Sequence, residues 1–134
     1  MACPLFLPTN PLPGALPVAA PLGDLHAGFC AADLDAVIDP AVLRHCCNRG
    51  YARTECPRAA TTEVDAVRFL IRSDENGAVE VAWAQERDHY PFAVGSQIYS
   101  GDLAVSTRPL DRQIAAYVAC YLRQKGGSRH LSGI

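Results

Sequence analysis

Five of the six cysteines fall within the first 56 residues: Cys3, Cys30, Cys46, Cys47 and Cys56, with Cys120 alone near the other end. Pro4, Pro8, Pro11, Pro13, Pro17 and Pro21 crowd the start of the same stretch. Proline fixes φ and removes an amide donor, so this segment can lie along a surface but cannot enter a central strand or a long helix. It still carries Leu5, Phe6, Leu7, Leu12, Leu16, Val18 and Leu22, more apolar groups than a disordered tail needs. Residues 1–38 therefore read as an extended or irregular arm wrapped on the rest of the chain. A segment that builds no core of its own and carries several thiols is commonly held by a metal, a cluster or disulfides.

A length of 134 residues points to one domain. Within it, 1–60 form a cysteine-bearing arm and helix, 61–126 a sheet and helix, and 127–134 a tail. Hydrophobic residues make up 49% and charged residues 19%, so a core of ordinary size is available without cross-links. A net charge of −2 is too small to argue for a nucleic-acid partner. No apolar run approaches the ~20 residues of a membrane span. The first 24 residues hold no Lys or Arg, and their prolines interrupt any apolar helix, which argues against a secretory leader. The expectation is a cytoplasmic chain with reduced thiols, in which clustered cysteines ligate metal rather than form disulfides.

Asp39-Pro40 is a helix start, with a capping carboxylate followed by proline at the first helical position. A helix over Ala41–Arg49 is predicted, with Gly50 as its stop. Cys46 and Cys47 would then point about 100° apart and not serve one site equally. From Asp65 the period is two. Val67, Phe69 and Ile71 face one side, Asn76-Gly77 closes a hairpin, and Val79, Val81 and Trp83 return on the same face. Pro91 reads as a break, with a third short strand at Val94–Tyr99 and a turn at Gly101-Asp102. Thr107 can cap a final helix whose stripe is Leu110, Ile114, Tyr117, Val118, Tyr121 and Leu122, ended by Gly126-Gly127 and followed by a mobile tail. The fold class is α+β, a short antiparallel sheet packed by the C-terminal helix, with a Pro-rich, Cys-bearing arm and one short helix.

The chemistry concentrates in Cys47-Asn-Arg-Gly-Tyr-Ala-Arg-Thr-Glu-Cys56-Pro-Arg. Two thiols bracket a tight turn at Gly50, with Arg49 and Arg53 nearby to favour thiolates. A proline directly after Cys56 is a common ending of cluster-binding runs. Four ligands require two more thiols, and Cys30 and Cys3 supply them. The expected set is Cys3, Cys30, Cys47 and Cys56, with Cys46 as substitute for Cys47. Scattered single ligands suit a [4Fe–4S] cluster, whereas structural zinc favours paired knuckles and stands as the alternative. Cys120 belongs on the helix as a core residue. His26 and His45 neighbour cysteines and could each replace one ligand, although a solvated or hydrogen-bonded histidine is the plainer reading.

Glu86-Arg87-Asp88-His89 places acid, base and cation before Pro91, either a catalytic edge or a solvated strand end. The Cys47–Cys56 string with this tetrapeptide some thirty residues later, after a Cys-Pro start, resembles small bacterial proteins. In these a Cys-Asn-x-Gly-Tyr-Ala-Arg-x-x-Cys motif precedes a strand pair ending in Glu-Arg-Asp-His. That group carries no established activity, so the resemblance over residues 1–99 implies no reaction and supports only the cysteine set. No nucleophile elbow, zinc-protease motif, phosphate loop or dinucleotide fingerprint is present. The expected function is a small iron–sulfur protein, an electron carrier or accessory subunit of a redox complex with a protein partner. A zinc-stabilised interaction module and a small enzyme using His89 with Asp88 or Glu86 are the alternatives.

Overall fold

The computed structural model describes residues 2–12 and 25–132, with side chains to residue 125. Its architecture is α+β, with two small antiparallel sheets, a C-terminal helix and one short helical segment. Strand β1 (Phe6–Pro11) pairs with β2 (His26–Cys30), which places Phe6 opposite Cys30. The arm expected to be irregular thus contains a paired ribbon. Its prolines are accommodated because the ribbon has only two strands and its register shifts between Pro8 and Pro11. Leu16, Val18 and Leu22 lie outside the described residues.

The second sheet follows the alternating pattern. β3 (Ala66–Glu75), β4 (Ala78–Arg87) and β5 (Tyr90–Ile98) are joined in sequence order. Asn76 and Gly77 close the first hairpin with φ of 54° and 79°, the two left-handed residues of a tight hairpin turn. Asp88 and His89 close the second in the same way, with φ of 51° and 69°. β5 therefore begins at Tyr90, not at Val94. Pro91 does not break it, because β5 is an edge strand and Pro91 pairs where the register is irregular, opposite Glu86.

Helix α2 (Pro109–Ser132) packs on β1, β3 and β4. Ile114 and Val118 are buried on it, and Leu110, Tyr117 and Tyr121 pack against the same core. Leu122, expected in the stripe, is exposed. At the helix start the Ser106 hydroxyl accepts from the Arg108 amide and donates to Asp111, the role expected of Thr107. The helix runs through Gly126-Gly127 to Ser132, since glycine costs helix stability without forbidding the conformation. Among the described residues no helix is long and apolar enough to cross a membrane.

Two ties hold the arm to the rest of the fold. Ala2 extends the larger sheet at its β3 edge, with reciprocal amide–carbonyl bonds to Val67 of 2.9 and 2.8 Å. From α2, the buried Gln113 side-chain amide donates to the carbonyls of Cys3 and Phe6, both at 2.8 Å.

Gly50 sits beside the first of these ties. Its φ is +72°, and a Cβ there would stand 2.6 Å from Ala66 Cβ and 3.2 Å from the Ala2 carbonyl. Left-handed strain and overpacking therefore act together. Gly50→Ala is expected to lose about 2–4 kcal/mol of stability in urea denaturation. A loss within about 0.5 kcal/mol, the ordinary surface value, would show that the close approach is not needed.

Candidate metal centre

The Asp39 carboxylate caps helix α1 (Pro40–Val42) by accepting from the Ala41 amide at 2.8 Å. The helix does not continue to Arg49 as predicted. Over Leu43–Cys47 it widens into a π-turn, closed by the Asn48 amide on the Leu43 carbonyl at 3.0 Å. Cys46 and Cys47 are both buried and both face one cavity, contrary to the divergence expected of an α-helix.

That cavity, of about 30 Å³, is lined by Cys3, Cys30, Cys46, Cys47 and Cys56. The remaining wall is mostly apolar, from Leu5, Phe6, Ile38, Val42 and Ala59, with Arg58 at the side. Backbone bonds set each thiol. The Cys3 amide donates to the Cys47 carbonyl at 3.1 Å. Cys30 ends β2 opposite Phe6. Cys56 closes a turn, its amide on the Ala52 carbonyl at 2.8 Å. Arg58 reaches Asp33 at 3.5 Å, an exposed pair that adds little to stability.

Asn48 locks this arrangement. Its side chain accepts from the His26 amide and donates to the His26 and Leu43 carbonyls, all at 2.9 Å. The motif asparagine thus staples the start of β2 to the π-turn. His26 itself is buried on β2 and does not line the cavity. Sequence reasoning singled out neither Asn48 nor Gln113, because a lone polar residue carries no pattern that marks it as buried.

Burial dominates the chemistry of the thiols. It pushes Cys3 up to about 11, with the backbone bond near Leu5 opposing and the neighbouring cysteines adding. It pushes Cys47 up to about 12, reinforced by Cys3, Cys30, Cys46 and Cys56. Cys46 is raised by burial first and then by the Glu55 carboxylate, which its thiol meets at 3.7 Å. All five carry free thiols. Among the described residues no three His, Cys, Asp or Glu side chains stand at the spacing of a closed metal site.

The donor set still fits a soft-thiolate centre. A cluster-binding site needs four thiolates in water-poor surroundings, and this cavity offers five cysteines, of which Cys46 also meets the Glu55 carboxylate. Its size favours a single ion over a cubane, which would require the lining to move outward.

Glu86-Arg87-Asp88-His89 lies at the second hairpin and is tied to the cysteine loop. Glu86 is buried, accepting from the Tyr51 hydroxyl at 2.7 Å and pairing with Arg68 at 2.9 Å. Asp65 pairs with Arg53 at 2.6 Å and accepts from the Asp88 amide at 2.9 Å. The His89 ring stacks on Tyr51, centroids 4.4 Å apart, and its amide donates to the Tyr51 hydroxyl. A concavity of about 210 Å³ lies beside His89, Asp88 and Arg53, but the Glu86 carboxylate is already committed. The two separated strings therefore meet as a clasp. Tyr51 and Arg53 of the cysteine loop grip carboxylates on β4 and just before β3. Cys120 is buried on α2 beside Gln124 and does not line the thiol cavity.

Comparison with known protein families, characterised proteins and solved structures yields no match to this chain.

Two outcomes follow from this geometry. In the metal-free protein at about pH 8, iodoacetamide should modify the partly exposed Cys56 first and Cys3 and Cys47 last. Alkylation needs the thiolate, so the Cys3 and Cys47 rates should keep climbing above about pH 9, where an ordinary cysteine levels off. A plateau at that pH, read by peptide mass spectrometry, would contradict the burial of these thiols. Burial and donation to Glu86 hold Tyr51 as a neutral phenol, pushed up to about 12. Tyr51→Phe keeps the ring stack but removes the hydroxyl, and should cost about 1–2 kcal/mol in urea denaturation.

Proposed function

We propose that this chain is a small iron–sulfur protein in which Cys3, Cys30, Cys47 and Cys56 hold a [4Fe–4S] cluster. It serves as an electron carrier, or an accessory subunit of a redox complex, in the reducing cytoplasm, with a redox protein as partner. The observation that carries this reading is the shared cavity. Thiols from the arm, the end of β2, the π-turn and the following loop all line it. Chance burial of hydrophobic cysteines would scatter them through the core, as Cys120 is scattered.

Within the fifth-thiol ambiguity, Cys47 is the better ligand than Cys46. Its carbonyl bonds to the Cys3 amide, which couples two ligands through the backbone. Cys46 instead meets Glu55. When bound, the cluster supplies one-electron transfer, and the residues of this chain bind it, exclude water and set its surroundings. The apolar wall and the absence of a catalytic motif suit a carrier better than an enzyme.

Structural zinc is the second reading, favoured by the small cavity. Anaerobic purification with iron, sulfide and zinc analysis separates the two. A brown protein with about four iron and four sulfide per chain is expected. A colourless protein with about one zinc would overturn the cluster in favour of zinc. Cys3→Ala and Cys30→Ala should abolish the metal content. Cys120→Ala should leave it intact and cost about 1 kcal/mol of packing. Bleaching by Cys120→Ala would mean that the centre reaches into the α2 core.

A further inference from the structure

The cavity holds one thiol more than a four-cysteine cluster takes. Consecutive residues of an α-helix diverge by about 100°, which would leave only one of Cys46 and Cys47 facing a single site. A π-turn, rare and concentrated at functional sites, replaces that α-helix at these residues. Both cysteines line the cavity, with Cys46 only 5% exposed. The Cys46 sulfur stands 3.7 Å from Glu55 Oε2, and Glu55 immediately precedes Cys56. The spare thiol therefore meets the residue that precedes Cys56 in the chain. Cys56 is also the one lining cysteine that is not fully buried, and it lies on a turn rather than in a strand or helical segment.

We infer that Cys46 is a reserve ligand for Cys56: Cys3, Cys30 and Cys47 are fixed members of the set, and either Cys46 or Cys56 completes it. This rests on the thiol-ligated centre proposed above and extends it. The sequence pattern alone makes Cys46 an alternative to Cys47. The structure assigns it to Cys56 instead. Cys47 is tied to Cys3 through the backbone, and a shift of Cys46 into its place would have to unwind the π-turn that Asn48 staples. Replacing Cys56 by Cys46 exchanges one thiolate for another, so the charge of the ligand set is unchanged and no oxidant or reductant is needed.

The test compares Cys46→Ala, Cys56→Ala, the double variant, Cys47→Ala and Cys3→Ala, each purified anaerobically. Iron, sulfide and zinc are measured per chain, with electron paramagnetic resonance of the reduced protein. Amide protection of the sheet, by hydrogen exchange, verifies folding. Cys46→Ala should match the unaltered protein. Cys56→Ala should keep at least half the metal with a shifted resonance, and the double variant should lose at least tenfold. Cys47→Ala should fall with Cys3→Ala although Cys46 is present. Complete loss in folded Cys56→Ala would overturn the reserve role while leaving the centre standing. Retention by the double variant would overturn it too. If the unaltered protein carries zinc, the same pattern read in zinc supports the reserve role and sinks only the cluster. If it carries no metal, both readings fall.

Discussion

The Gln113 side chain, deep under the arm, donates to two carbonyls of a segment more than a hundred residues away, those of Cys3 and Phe6. An arm with prolines at positions 4, 8 and 11 cannot satisfy its own backbone, and a buried carbonyl without a donor costs about 1–3 kcal/mol. The helix supplies what the arm lacks. Arg112, one residue earlier, does the same for the Pro8 carbonyl at 3.0 Å. With the arm fixed, Ala2 pairs with Val67 and the Cys3 amide reaches the Cys47 carbonyl. The position of the first thiol thus depends on the last helix.

That dependence ties the cysteine-bearing end to the sheet-and-helix end that composition suggests. Arm, π-turn and cysteine loop are each anchored to the larger unit at a different point. The arm is held by Gln113 and Val67. The loop is held by Tyr51 on Glu86 and Arg53 on Asp65. The Tyr51 amide adds a bond to the Asp65 carbonyl at 2.9 Å. Asn48 then joins β2 to the π-turn. Each anchor is buried or partly so, where a hydrogen bond is stronger than in water and an unmade one is costly.

What could be read in the sequence was whatever depends on local period and turn chemistry. β3, β4 and the Asn76-Gly77 turn follow from alternation and a left-handed dipeptide. The α2 stripe follows from Ile114, Val118 and their neighbours. That the five N-terminal cysteines line one cavity accords with the coincidence of proline density and cysteine density. The π-turn could not, because an i→i+5 bond has no residue preference to announce it, and tertiary contacts at Asn48 impose it. The start of β5 was hidden by Pro91, since sequence does not tell an edge strand from a central one. Glu86 and Asp65 look like solvated charges in the sequence, and only the arrival of Tyr51, Arg53 and Arg68 makes them buried acceptors.

The anchors also bear on how a metal and the fold are coupled. In a zinc finger the ligands are the core, and the chain unfolds without its ion. Here the thiols are brought to one cavity by bonds that involve no sulfur: Cys3 to Cys47 through the backbone, Cys30 through strand pairing, Cys56 through its turn. The ordering entropy of four separate segments is therefore offset in part by packing and hydrogen bonding that involve no thiol. Loss of one of these anchors would therefore displace a cysteine without touching its sulfur.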